Sequence, residues 1–131
     1  DSGIEALIND PEADSAVTVS KLNMYSPLRA RKLDPNGYLE PFVSFEKFGD
    51  PLTLSCDRDS QGDVFFADMS HSISRSRALD DIANGLLPQR WMGKKIIPVY
   101  QTYGCDIDSE WQIEVSKWWL SKNGLSKTFT E

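Results

Sequence analysis

Two cysteines, one histidine and no long apolar run are what these 131 residues offer, and each scarcity excludes something. Cys56 and Cys105 are isolated thiols, and with His71 as the single imidazole they fall short of the ligand set that a structural zinc needs. No metal and no cofactor are therefore expected. The two thiols read as free, with a disulfide as the alternative. No apolar stretch nears the ~20 residues of a membrane helix, so no membrane partner is expected either. Glycine-rich phosphate loops are missing as well, since GKK at 93–95 lacks P-loop spacing. Positive charge is short: 14 Lys and Arg face 20 Asp and Glu, a net charge of -6. Phosphate-backbone binding draws most of its affinity from Lys and Arg, so a nucleic-acid role starts at a disadvantage.

What remains suits one domain with a single core. Residues 1–15 read as an apolar turn and an acidic linker, with Ile4, Leu7 and Ile8 at i, i+3 and i+4. AVTVSKLNMY alternates, and its change of face near Lys21 suggests a bulge. Residues 26–51 hold Pro27, Pro35, Gly37 and Pro41. They read as an extended connection turned at DPNG, followed by a strand in FVSFEKF. LTLSC and VFFAD are expected as strands, ALDDIANGLL as a short helix presenting Leu79, Ile82 and Leu86. KKIIPVYQTY is expected as a strand whose Pro98 favours an edge. EWQIEVSKWWL fits two patterns; its β-branched and aromatic content favours a strand to about 117, a helix being possible afterwards. Residues 123–131 form a loose tail. Short strands, frequent turns and one helix suit a mainly β chain: a small closed barrel of the OB type over 16–122, with 26–51 as an insertion between early strands.

Candidate chemistry is sparse. In ADMSHSI, neighbours on a strand point to opposite faces, so Ser70 and His71 do not meet as nucleophile and base. The local reading is a strand turn in which Asp68 accepts backbone N–H bonds, Ser70 does so more weakly, and His71 is solvated. Glu114 and Lys117 read as surface positions on a half-exposed strand. The four tryptophans are assigned to the core rather than to base stacking.

The order IEALIND, a strand, VFFADMSHSI, the ALDD helix, KKIIPVYQTY and WQIEVSKWWL resembles the telomerase-recruiting OB-fold family. Its members are the shelterin subunit called adrenocortical dysplasia protein homologue, its fungal counterparts and the Est-type small telomerase subunit. Ile4, Leu7 and Ile8 match the family's apolar pre-barrel segment, in which Gly3 replaces a tryptophan. Asp68, Ser70 and His71 match its aspartate–Ser/Thr–His turn, and Trp111 to Trp118 its closing strand. The resemblance implies a non-catalytic nuclear adaptor at the chromosome telomere. It would bind the telomerase catalytic protein and other telomere proteins, with weak or no direct DNA binding. By position, Glu5, Asp10, Asp80 and Asp81 become the acidic contacts, with Leu7 or Ile8 as the apolar anchor. The alternative is a single-stranded nucleic-acid-binding OB domain using Arg75, Arg77, Lys94 and Lys95.

Overall fold

A computed structural model describes residues 1–55, 57–58, 60–104 and 106–124. Helix α1 (Ser2–Asn9) leads into strand β1 (Ser15–Lys21), and a small hairpin follows from β2 (Arg31–Leu33) and β3 (Leu39–Pro41). Strand β4 (Phe65–Ser74), helix α2 (Ser76–Asp80), strand β5 (Ile96–Gln101) and helix α3 (Glu110–Lys122) complete the order, with short 3-10 turns between them. The chain is mainly β with short helices. The β1–β4 and β2–β3 pairs are antiparallel, and β1–β5 is parallel.

Strand β1 is the centre of the order β4-β1-β5, and every residue from Ser15 to Ser20 is buried. Its alternation gives two faces. Ala16, beside Ile73 of β4 and Ile97 of β5, joins Leu7, Ala13 and Val99 in the hydrophobic core under α1. On the opposite face, Ser15 donates to the Met92 carbonyl at 2.6 Å. Helix α1 approaches the sheet through its smallest residue. A methyl group on Gly3 would lie 2.8 Å from Ile73 Cδ1 and 3.7 Å from Ala16 Cβ. Leu7, one turn on, is 6% exposed, and burying such a side chain stabilises by about 1.5–3 kcal/mol. The N-terminal apolar turn is thus a docked two-turn helix, and Gly3 provides the fit.

The edge position expected of KKIIPVYQTY is observed: β5 lies at one side of the sheet, with Pro98 within it. The DPNG turn also forms. Asp34 Oδ1 accepts from Asn36 N at 2.9 Å and Tyr38 N at 2.8 Å, and the residues around it pair as β2 and β3. The segment 26–51 therefore has a sheet of its own and is not merely an extended connection.

Several expectations are corrected. Among the described residues the strands form one three-stranded and one two-stranded sheet, with no closed barrel. FVSFEKF makes a 3-10 turn at Phe45–Phe48, and 52–55 contain no strand, because alternation without a partner strand leaves backbone groups unpaired. Strand β1 ends at Lys21, and Leu22 leads into a 3-10 turn at Asn23–Tyr25. The bulge lies in the facing strand. Val17 pairs with Ser72 and Val19 with Ala67, so residues 68–71 stand opposite Thr18 alone. The chain bends there without reversing, and no turn separates two strands. ALDDIANGLL splits into α2 and a 3-10 turn at Ile82–Asn84. It buries Ala78 and leaves Leu79, Ile82 and Leu86 exposed.

The largest correction concerns EWQIEVSKWWL, which is helical throughout as α3. Gln112 Oε1 reaches back to accept from Ser109 N at 2.6 Å and Asp108 N at 2.8 Å. Those donors would otherwise be orphaned at the helix start. The tryptophans are not core residues: Trp111 and Trp118 are 67% and 60% exposed, while Trp91 and Trp119 are half-buried. Of the tail expected from 123, residues 125–131 lie outside the described residues, as do Cys56 and Cys105.

Candidate functional site

Two polar junctions organise the surface around α1. The first is built on Asp68, at the bulge. Its Oδ1 accepts from Thr18 Oγ1 at 2.7 Å and Ser70 N at 3.2 Å, and its Oδ2 from Ser20 Oγ at 2.8 Å and from Gln101 Nε2. Thr18 in turn accepts the His71 N–H at 3.0 Å. One carboxylate thus links β1, β4 and β5. Partial burial pushes its pKa up, but the bonds from Thr18, Gln101, Ser20 and Ser70 outweigh that and bring it from 3.8 to about 2. Gly104 packs on it so closely that a side chain there would meet Asp68 Oδ2 at 2.7 Å.

The expected local role of Asp68, accepting a backbone N–H two residues on, is present. Its bonds to β1 and β5 have no local signal in the chain. His71 is exposed, and its neighbour Ser70 accepts from Gln101 at 3.1 Å. With Thr18, Tyr100 and the start of α1, His71 lines a cleft of about 260 Å³.

The second junction ties α1 to α2. Arg75 Nε donates to the Ala13 carbonyl at 3.0 Å, and its Nη2 donates to the Leu7 carbonyl in the last turn of α1. A cation there meets unpaired carbonyls and the negative end of the helix dipole. Arg77 Nη2 donates to Ala13 O at 2.7 Å, and its Nε to Asp14 Oδ1 at 3.2 Å. Asp14 Oδ2 accepts the backbone N–H groups of Lys94 at 2.8 Å and Lys95 at 3.0 Å. Those two N–H groups, and then Arg77, hold the Asp14 carboxyl below the ordinary range. The Lys95 ammonium pairs with Glu12 at 3.0 Å.

These contacts separate the two sets of expected residues. Of the basic set, Arg75 is half-buried on the Leu7 and Ala13 carbonyls, whereas Arg77, bonded to Ala13 and Asp14, is exposed, as are Lys94 and the Glu12-paired Lys95. Of the acidic and apolar set, Glu5, Ile8, Asp10, Asp80 and Asp81 are all exposed. Leu7 is buried in the core, so it cannot be a surface anchor, and Ile8, 69% exposed, is left in that position. Ile4 is 50% exposed beside it on the outer side of α1. Ile4 was not singled out as a contact, although its i, i+4 spacing to Ile8 marks the same face. Asp81 borders a cleft of about 210 Å³ that also contains Arg77, Asn84 and Lys94, and Asn84 Nδ2 donates to it at 2.5 Å.

Among the described residues no group of three or more His, Cys, Asp and Glu is placed to hold a metal ion. None of their helices is long and apolar enough to cross a membrane. No protein-family model matches the chain, and no curated protein is found to be similar to it.

Proposed function

We propose that this chain is a non-catalytic, telomere-associated adaptor of the OB type that binds and recruits telomerase in the nucleus. The surface formed by the outer side of α1 and by α2 makes the contact, within a larger telomeric assembly. The observation that carries this reading is how the charges are used. Arg75 and Arg77 bond the carbonyls of Leu7 and Ala13, while Glu5, Asp10, Asp80 and Asp81 stand exposed with Ile4 and Ile8. A partner meeting these exposed groups is therefore basic, with an apolar contact to Ile4 and Ile8. Ile8 with Ile4 supplies the anchor, and the carboxylates steer the encounter and fix register.

The OB assignment is supported by a central strand paired on both sides, a strongly bulged neighbour and a helical connection before the last strand. A single-stranded nucleic-acid module would need free cations at its surface, and of the two candidate arginines Arg75 holds the end of α1 while the exposed Arg77 is paired with Asp14. Tyr100 and Phe65, in edge contact at 5.3 Å and partly exposed, are the aromatic features that such a role would use.

Reversing Asp80 and Asp81 together to lysine tests the assignment. Telomerase association falls at least about tenfold, while the melting temperature stays nearly unchanged. Unaltered association removes α2 from the interface.

A further inference from the structure

Helix α3 is not part of the proposed telomerase-binding surface, yet it exposes several large apolar side chains. It has no buried residue. Its inner side is half-buried through Gln112, Ser116, Trp119 and Leu120, with Trp119 stacked on Tyr103 at 6.1 Å. The adjoining side, roughly 120° round the helix, carries Trp111, Val115 and Trp118 at i, i+4 and i+7, which are 67%, 38% and 60% exposed. That spacing forms one stripe. Thirteen residues span about 20 Å, the length over which one helix lies along another.

Charge and area indicate what fits there. Glu114 flanks the stripe, and Asp108 and Glu110 stand exposed at its N-terminal end. Lys117 is bonded to Glu114 at 2.8 Å, and the exposed Lys122, at i+4 from Trp118, closes the C-terminal end of the stripe, so the acidic groups dominate only its N-terminal part. Two tryptophans exposed to this extent, with Val115, offer roughly 300–400 Å² of apolar surface. A standard stable interface needs about 800 Å² from each partner, so this face alone does not sustain a dimer of the chain. The net charge of -6 also sets two copies against each other. A short segment with apolar residues at helical spacing and lysine or arginine beside them matches both features. Trp111 and Trp118 would be its buried anchors.

We propose that the Trp111–Val115–Trp118 face of α3 is a second docking surface, which takes a basic amphipathic helix of a partner protein. Binding there is weak and salt-sensitive, as suits a small contact with charge around its rim.

The test titrates the whole chain with a synthetic amphipathic peptide bearing leucines on one face and lysines beside them. A matched peptide carries glutamate in place of lysine. Intrinsic tryptophan fluorescence reads the binding, and amide chemical shifts locate it. The lysine peptide is expected to bind at least about tenfold more tightly than the glutamate peptide. Its shift changes should centre on residues 108–122. Trp111→Ala with Trp118→Ala should weaken it by at least about tenfold, with an unchanged circular dichroism spectrum showing that the chain remains folded. Glu110→Lys with Glu114→Lys should reduce the preference for lysine without touching the anchors. Equal affinity for the two peptides, shifts centred elsewhere, or full binding by the double alanine variant overturns the proposal. So does a dimer of the chain alone that the alanine variant dissociates in sedimentation, because the face would then be a contact between copies.

Discussion

Replacing Asp68 by asparagine perturbs the joint between β1, β4 and β5 without changing its shape. The carboxylate accepts from Thr18, Ser20, Gln101 and Ser70 N. An amide loses the charge and places an NH₂ group against donors. The fall in the carboxyl pKa from 3.8 to about 2 corresponds to about 2.4 kcal/mol at ~1.36 kcal/mol per decade of proton affinity. Asp68 is only half-buried, and solvent screening reduces that figure to about 1–2 kcal/mol. Urea denaturation at pH 7 should therefore show the asparagine variant with a midpoint lower by roughly 0.5–1 M. Because the folded-state pKa is depressed, the stabilisation is complete above 3.8 and is lost as pH falls toward 2. The gap between wild type and variant should accordingly shrink by roughly half at pH 3. Equal midpoints at pH 7, or a gap as wide at pH 3 as at pH 7, would refute the role given to this carboxylate.

Two further substitutions probe how α1 is held. Gly3→Val should cost about 1–3 kcal/mol and expose the α1–β1 connection to limited proteolysis, because Ile73 Cδ1 occupies the space a side chain needs. Gly3→Ala should be far milder, since its clash is with the flexible end of one side chain and alanine favours the helix by about 0.5–1 kcal/mol. Arg75→Ala should lower stability by about 1–3 kcal/mol, measured by thermal melting, by leaving the Leu7 carbonyl without its guanidinium partner, while Ala13 keeps that of Arg77. The same variant should leave affinity for a single-stranded oligonucleotide unchanged, whereas a nucleic-acid role for Arg75 predicts a loss.

The parts of the fold legible in the sequence are those in which side-chain period and backbone partner agree. Val17 and Val19 mark β1, Pro98 marks an edge strand, and Asp34 to Gly37 mark a turn, each for a local physical reason. LTLSC alternates cleanly and FVSFEKF is rich in β-forming residues, yet neither is a strand among the described residues, because strand formation depends on a neighbour that the pattern does not encode. In α3 the alternation of Trp111, Ile113 and Val115 competed with a helical stripe. Ser109 and Gln112, a recognisable helix start, were the signal that separates the two. At the candidate surface, Ile8, Asp80 and Asp81, positions inferred from resemblance, are exposed. The burial of Leu7 followed from its place on the inner side of α1. The engagement of Arg75 and Arg77 rests on contacts to Leu7, Ala13 and Asp14, more than 60 residues away. No local pattern anticipates those.

The decisive measurement is a paired titration of the chain, at physiological salt, against the purified telomerase catalytic protein and against single-stranded telomeric DNA. Saturable binding to the protein, weakened at least about tenfold by Asp80→Lys with Asp81→Lys in a variant that melts normally, together with negligible DNA binding, is the predicted result. No binding to the catalytic protein, or tight DNA binding that falls steeply with added salt, would contradict it.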